Sequence, residues 1–399
     1  MSMSIPGAWA AGTDEIKVGV IGCGGRGTGA AMNAINAAEG VTIVAMADAF
    51  KDRLDASRKI LGERIGDKMK VTDATCFTGL DAYTQVLAMP DVNYVILATP
   101  PGFRPAHIKA AVAAGKHVFA EKPVAVDGAG VRSCLESFEE INKKGLGLVA
   151  GTLYRHHTGY LESIKRIRDG QIGEIATVNG WYNTTGLWKK DREPAWSDLE
   201  FQMRNWLYYT WLSGDHIVEQ AVHNIDALNW IMGANPVRAI GLGGRQVRTG
   251  AEYGHIYDHF AIDYEYPGGK HVTMMCRQQD GTDKKVANEV VGTKGRAFIL
   301  PQFYITGANP WKLEGEINDA YVVEHTDLIN SIRAGKPLNE LKQIAESTLV
   351  GILGREAAYT GAAVTWEQAL DTPSQFPTKL EWGPMTVAPV PMPGQNSNE

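Results

Sequence analysis

The chain has 399 residues, 44% hydrophobic and 21% charged, enough for two or three domains with sizeable cores. Its net charge of −6 argues against nucleic acid or an anionic membrane as the main partner. No apolar run reaches the ~18 residues of a membrane-inserted helix, and the scattered Cys23, Cys76, Cys134 and Cys276, with no CxxC, signal neither zinc nor a disulfide framework.

Met1-Ser2-Met3-Ser4 reads as an added start. Behind it Ala8-Trp9-Ala10 has the small-x-small form of a signal-peptide cleavage site, although no charged region or long apolar core precedes it. Residues 1–14 are thus expected to be the remnant of an export signal, with the protein periplasmic. The other reading is the arm of a cytoplasmic protein.

Ile16 to Ile21 is a short apolar strand, and Gly22-Cys23-Gly24-Gly25-Arg26-Gly27 follows it before a small-residue helix, Thr28 to Ala38. This is G-x-G-x-x-G between a strand and a helix. Gly22 makes the tight turn, Gly24 admits a pyrophosphate, and Gly27 lets helix and strand pack closely. The helix start offers free N–H groups to phosphate. A second strand, Val41 to Ala47, ends at Asp48, whose carboxylate accepts from ribose hydroxyls and repels a 2′-phosphate. Ala49, Phe50 and Lys51 follow it with no arginine, so NAD is expected rather than NADP. A bare glycine turn is the alternative.

Strands and helices then alternate. The strand Tyr94 to Ala98 ends in Thr99-Pro100, and Lys116 to Phe119 ends in Glu121-Lys122-Pro123. Leu148 to Gly151 is the last strand of the alternation, which implies a parallel sheet with helices on both faces over residues 15–151. Pro123 pushes Lys122 towards an extended conformation, and strand ends are where ligands bind on such a sheet. A solvated turn is the bland reading.

The glycine loop, Thr99-Pro100, His107 in the next helix and Glu121-Lys122-Pro123 resemble the glucose–fructose oxidoreductase/inositol dehydrogenase/MocA (Gfo/Idh/MocA) family. The resemblance implies an α/β Rossmann domain followed by an α+β domain with a large open, mostly antiparallel sheet. It also implies nicotinamide chemistry on sugars, cyclitols and related polyols. The cofactor contacts it implies are Gly22, Gly24, Gly25, Arg26, Gly27, Asp48, Thr99, Pro100, His107, Glu121 and Lys122.

After the last Rossmann strand comes Tyr154-Arg155-His156-His157, placed near substrate by the resemblance and otherwise a polar crossover loop. Thr184 to Tyr209 is irregular and holds Trp188, Trp196 and Trp206. Tryptophans disfavour disorder, so a substrate lid stands beside a packed-down loop as its reading. Ser213 to Asp226 is the second chemical centre, with Asp215, His216, Glu219 and His223. At helical spacing Glu219 and His223 share a face. A metal site lacks the HExxH pattern and a further ligand, and no metal is expected. The remaining readings are a satisfied core histidine, or a proton-transferring His223 oriented by a carboxylate, which the resemblance supports. Its pattern commonly has aspartate where this chain has Glu219. Asp226 reads as a helix-start or ion-pair residue.

Strands at Val237 to Val247, Asp258 to Tyr266, His271 to Arg277 and Val286 to Gly292 carry hairpin signals at Pro267-Gly268-Gly269 and at Gly281. They extend the second domain over 152–370, whose late helices are candidates for packing back on the first. A tail, 371–399, wraps or frays. Subunit contact commonly covers an open sheet face, so a homo-oligomer, dimer or tetramer, is expected. The function expected is oxidation of a secondary hydroxyl of a carbohydrate, with Lys122, His223 and Glu219 catalytic and Tyr154, Arg155, Trp188, Asp215, His216 and Glu219 at the substrate. A glycosidase using NAD transiently and a non-catalytic NAD/sugar-binding protein are the rivals.

Overall fold

The computed structural model describes residues 15–395. Six parallel strands, β1 (Ile16–Ile21), β2 (Val41–Asp48), β3 (Cys76–Thr78), β4 (Tyr94–Leu97), β5 (His117–Ala120) and β6 (Leu148–Ala150), form a sheet in the order β3-β2-β1-β4-β5-β6. Strands β4, β5 and β6 are buried at every position, which is why they read as continuous apolar runs. The order reverses between β1 and β4, so a crevice opens at their C-terminal ends. Gly22 follows β1 and Thr99 follows β4 at that crevice.

The second sheet has nine strands: β7 (Ile175–Thr184), β8 (Arg238–Gly244), β9 (His259–Tyr266), β10 (Lys270–Gln278), β11 (Lys285–Gly292), β12 (Gly295–Ile299), β13 (Phe303–Gly307), β14 (Trp311–Lys312) and β15 (Val364–Thr365). Their order is β14-β13-β12-β11-β7-β10-β9-β8-β15. All pairs are antiparallel except β7 with β10. Burial alternates strictly along β9, so one face is covered and the other open. The helix Leu341–Thr360 covers part of the buried face, where Tyr264 Oη donates to Val350 O at 3.0 Å. The register lays Leu242, Ala261, Met275, Trp181 and Ala287 in one row on the open face. Leu242 is 75% exposed there and Met275 44%.

Three local expectations are corrected. Gly281 does not close a hairpin: β7 lies between β10 and β11, and residues 279–284 are long enough to step across one intervening strand. The stretch after Thr184 is not structureless, since Asp198–Arg204 is a helix capped by the Ser197 side chain on Glu200 N–H. The helix spanning His223 runs Val222–Met232 and is separate from the short turn His216–Glu219, so Glu219 and His223 do not share one helical face.

The helix Ala320–Arg333 packs on the first sheet. His325 Nδ1 meets Tyr94 Oη at 2.8 Å, and its ring stacks on Phe119 with centroids 4.0 Å apart. The tail wraps: Phe376 packs edge-on against Phe103 and Trp211, and Trp382 lies 5.7 Å from Phe50.

Candidate active site

The crevice holds a cavity of about 810 Å³ lined by Gly22, Gly24, Gly25, Arg26, Asp48, Thr99, Pro100 and His107, among others. The glycines divide their tasks. At Gly22 φ is +95°, and a Cβ there would lie 2.6 Å from the Ala98–Thr99 backbone. At Gly27 a Cβ would lie 1.8 Å from Gly22 O. Gly24 and Gly25 have nothing within 4 Å of a Cβ, so their bare side is the open one. The helix Gly25–Ala37 begins here with no side-chain cap, which leaves its first N–H groups for an anion.

Asp48 ties the loop together. Its Oδ2 accepts from Cys23 N–H at 2.7 Å and its Oδ1 from Phe50 N–H at 2.8 Å. Burial raises its pKa, and these two N–H bonds oppose the rise. Each oxygen keeps a lone pair for a ribose hydroxyl. Size, bare glycines, uncapped helix and carboxylate together fit a nicotinamide dinucleotide.

Thr99 and Pro100 line the cavity wall. Arg104, fully buried, fixes this strand end by donating to Leu97 O and to Thr99 O. His107 Nδ1 meets Thr99 Oγ1 at 3.2 Å, and its ring lies between Tyr83 and Phe103. Burial, then the Arg104 cation, push its pKa down to about 3, so the ring is neutral. Glu121 is buried and pairs with Arg26 of the glycine loop, so it supports that loop from the next strand end. Arg26 also reaches Glu324 Oε1 at 3.2 Å and lies over Tyr321.

Lys122 stands one residue further on, its side chain 10% exposed. Its Nζ donates to Glu219 Oε1 at 2.9 Å and to the Glu219 carbonyl. Glu219 therefore partners the lysine and does not orient the histidine. His223 lies near enough to feel both Lys122 and Arg26. Burial first, then these cations, hold its pKa well below the usual value. Tyr154 leans on the His223 ring at 5.3 Å and stacks on Tyr160 at 4.2 Å. Lys122, Glu219, His223 and Tyr154 thus come together.

Four expected substrate contacts do not join them. Asp215 is fully buried with φ +72°, and its carboxylate is taken by His216 N–H, Tyr257 N–H and Tyr359 Oη. His216 is buried, packs 5.1 Å from Phe260, and neither ring nitrogen has a hydrogen-bond partner among the described residues. Arg155 makes a two-pronged pair with Asp226 at 2.8 and 2.9 Å, and Ser347 Oγ donates to the same carboxylate. Asp226 is the ion-pair residue its position suggested. Trp188 lines the cofactor cavity with Lys189, Lys190, Met203 and Trp206.

Several residues escaped sequence reasoning. Arg53, in the helix Lys51–Ile65 that follows Asp48, also lines the cavity. Arg204 bridges to Asp52 through two contacts of 3.0 Å and covers the Phe50 ring at 4.0 Å, tying its helix to the segment after Asp48. Gln220 and Tyr182 hydrogen-bond in line behind Glu219. Only the alternation of β7 could have hinted at Tyr182.

Comparison with known proteins agrees with this geometry. Residues 16–151 match a profile described as an oxidoreductase family with an NAD-binding Rossmann fold, and residues 160–298 match the GFO/IDH/MocA C-terminal domain. Inositol 2-dehydrogenase 3 of Saccharopolyspora erythraea is 27% identical over 354 residues, 88% of this chain and 90% of that protein. A 2,7-anhydro-N-acetylneuraminate hydratase of Escherichia coli is 27% identical over 187 residues, 46% of this chain. The chain spans 45% of that relative's length. The crystal structure of an aldose–aldose oxidoreductase from Caulobacter crescentus shares the fold, with a TM-score of 0.69 at 19% identity, covering 88% of this chain and 99% of that one. The matched profiles, the crevice they span and the glycine loop at its floor make this chain a member of the Gfo/Idh/MocA oxidoreductase family, with NAD as its cofactor.

Proposed function

We propose that the protein oxidises a secondary hydroxyl of a sugar, glycoside or related polyol. The observation that carries this is the Lys122–Glu219 pair beside a neutral His223, one strand end away from the dinucleotide crevice. NAD, when bound, supplies the hydride acceptor. An alcohol is too weak an acid to lose its proton unaided, so a base is needed as its carbon gives up hydride. His223 takes that proton. Lys122 donates an N–H to the same oxygen and stabilises the negative charge that grows on it. Glu219 holds the ammonium in place.

The test is a near-ultraviolet spectrum of the purified protein, with and without added NAD, against a panel of hexoses, cyclitols and glucosides. A persistent rise at the reduced-nicotinamide band names the substrate. Failure of every polyol to produce it refutes the reading. The kinship with the hydratase supports a second reading, glycoside cleavage through transient C3 oxidation, elimination, hydration and re-reduction. Release of the aglycone with no lasting band would select it.

The pH profile is a further test. A depressed pKa keeps His223 in its base form throughout the neutral range. An unperturbed imidazole would lose half its base form near pH 6.5. Here kcat/KM for oxidation is expected to stay within about twofold from pH 8 to about pH 6, and to fall only as the ring protonates in more acid solution. A midpoint near 6.5 would remove His223 from the role of base.

The apolar row on the open sheet face supports a homo-oligomer built through it. Leu242→Asp is expected to convert the oligomer to monomer at micromolar concentration, read by light scattering. An unchanged mass would place the contact elsewhere. Export is proposed on Ala8-Trp9-Ala10, which lies outside the described residues. Protein made from the native gene and found with an intact start would refute it.

A further inference from the structure

Glutamate has one more rotatable bond than the aspartate common at this position of the family pattern. A carboxylate on that longer arm holds an ammonium in one place only if something fixes its far oxygen. In this protein Gln220 Nε2 donates to Glu219 Oε2 at 2.6 Å. Tyr182 Oη in turn donates to Gln220 Oε1 at 3.0 Å. The direction of the chain follows from chemistry: a carboxylate only accepts, so the amide N–H end must face Glu219, and its carbonyl end is left for the phenol. Burial raises the Tyr182 pKa, so the hydroxyl keeps the proton that it donates. Tyr182 belongs to β7, which is flanked by β11 and β10 near the middle of the second sheet, a rigid base for the chain. At the other end Lys122 uses two of its three N–H donors on the Glu219 side chain and carbonyl.

We propose that Tyr182 and Gln220 are positioning residues: the chain Tyr182–Gln220–Glu219 sets the Lys122 ammonium so that its remaining N–H points at the reacting oxygen. The inference rests on the hydride-transfer reading. It explains how the longer carboxylate serves here, because the sheet of the second domain fixes the oxygen that an added methylene would otherwise free. Neither residue touches the reacting atoms in this account. Both act through Glu219.

The experiment compares the full-length NAD-loaded protein with Tyr182→Phe, Gln220→Met and the double variant. Phenylalanine removes only a hydroxyl, and methionine keeps the length of glutamine, so both shapes are retained. Each single change is expected to lower kcat about tenfold with KM within about twofold, the mark of a misplaced group rather than a lost substrate contact. The double variant is expected to be no slower than Gln220→Met, because Tyr182 acts only through Gln220. A second readout needs neither substrate nor cofactor. The rate at which acetic anhydride labels Lys122, followed by peptide mass spectrometry, is expected to rise several-fold in both single variants at the same pH.

Additive losses, a KM rise at constant kcat, or unchanged labelling with unchanged kcat would each overturn the proposal. If none of the polyols lets the unsubstituted protein reduce NAD, the hydride-transfer reading fails, and the labelling arm alone decides whether the chain holds Lys122.

Discussion

Lys122→Met is expected to lower kcat about a thousandfold while NAD stays bound. Methionine keeps the length of the side chain and removes the ammonium, so the growing charge on the substrate oxygen loses its donor. The crevice glycines and Asp48 are untouched, and the dissociation constant for NAD is expected to change little. The same substitution strands Glu219, whose side chain is 8% exposed and would lose its cation. Removing one partner of a buried pair costs ~3 kcal/mol or more, so the melting temperature should fall as well. Adding Glu219→Gln separates the two effects: stability should recover while turnover does not. Turnover restored by the second change would mean that Lys122 serves only to neutralise Glu219.

Gly27→Ala is expected to weaken NAD binding about a hundredfold, ~3 kcal/mol. The added Cβ would sit 1.8 Å from Gly22 O, against 3.4 Å for ordinary contact, and the atom it meets is backbone rather than a yielding side chain. Helix and loop must separate, which pulls the helix N-terminus away from the pyrophosphate. Gly24→Ala is the contrasting case. With nothing within 4 Å of its Cβ, it should leave the melting temperature of the cofactor-free protein unchanged and still weaken NAD, because the methyl takes up space on the cofactor's side. Titration calorimetry with thermal melts of both variants checks this. Equal losses of stability in the two would mean that both glycines serve the turn alone.

Much of this protein was legible in the chain itself. A strand, a glycine loop, a helix and a carboxylate in sequence carry the dinucleotide site, because each part is local and its geometry follows from the residues within a turn or two. The alternation of strands and helices, then of strands alone, carries the two-sheet architecture for the same reason: burial imposes its period on the sequence. Lys122 was legible because the proline behind it holds a charge at a strand end.

What the sequence could not decide is which polar side chains face the crevice and which face the core. Asp215 and His216 have the same chemistry as Glu219 and His223 and lie a few residues from them in the chain, and Arg155 is a cation as Lys122 is. Contacts made across long stretches of sequence assign them: Tyr257 and Tyr359 take up Asp215, Asp226 takes up Arg155, and Phe260 covers His216. Glu219 was claimed by Lys122 from the first sheet rather than by the nearby His223. The place of β7 between β10 and β11, and with it the Tyr182–Gln220 chain, is likewise a matter of topology. Residue type determines what a side chain can do, and only the packing of distant segments determines what it is left free to do.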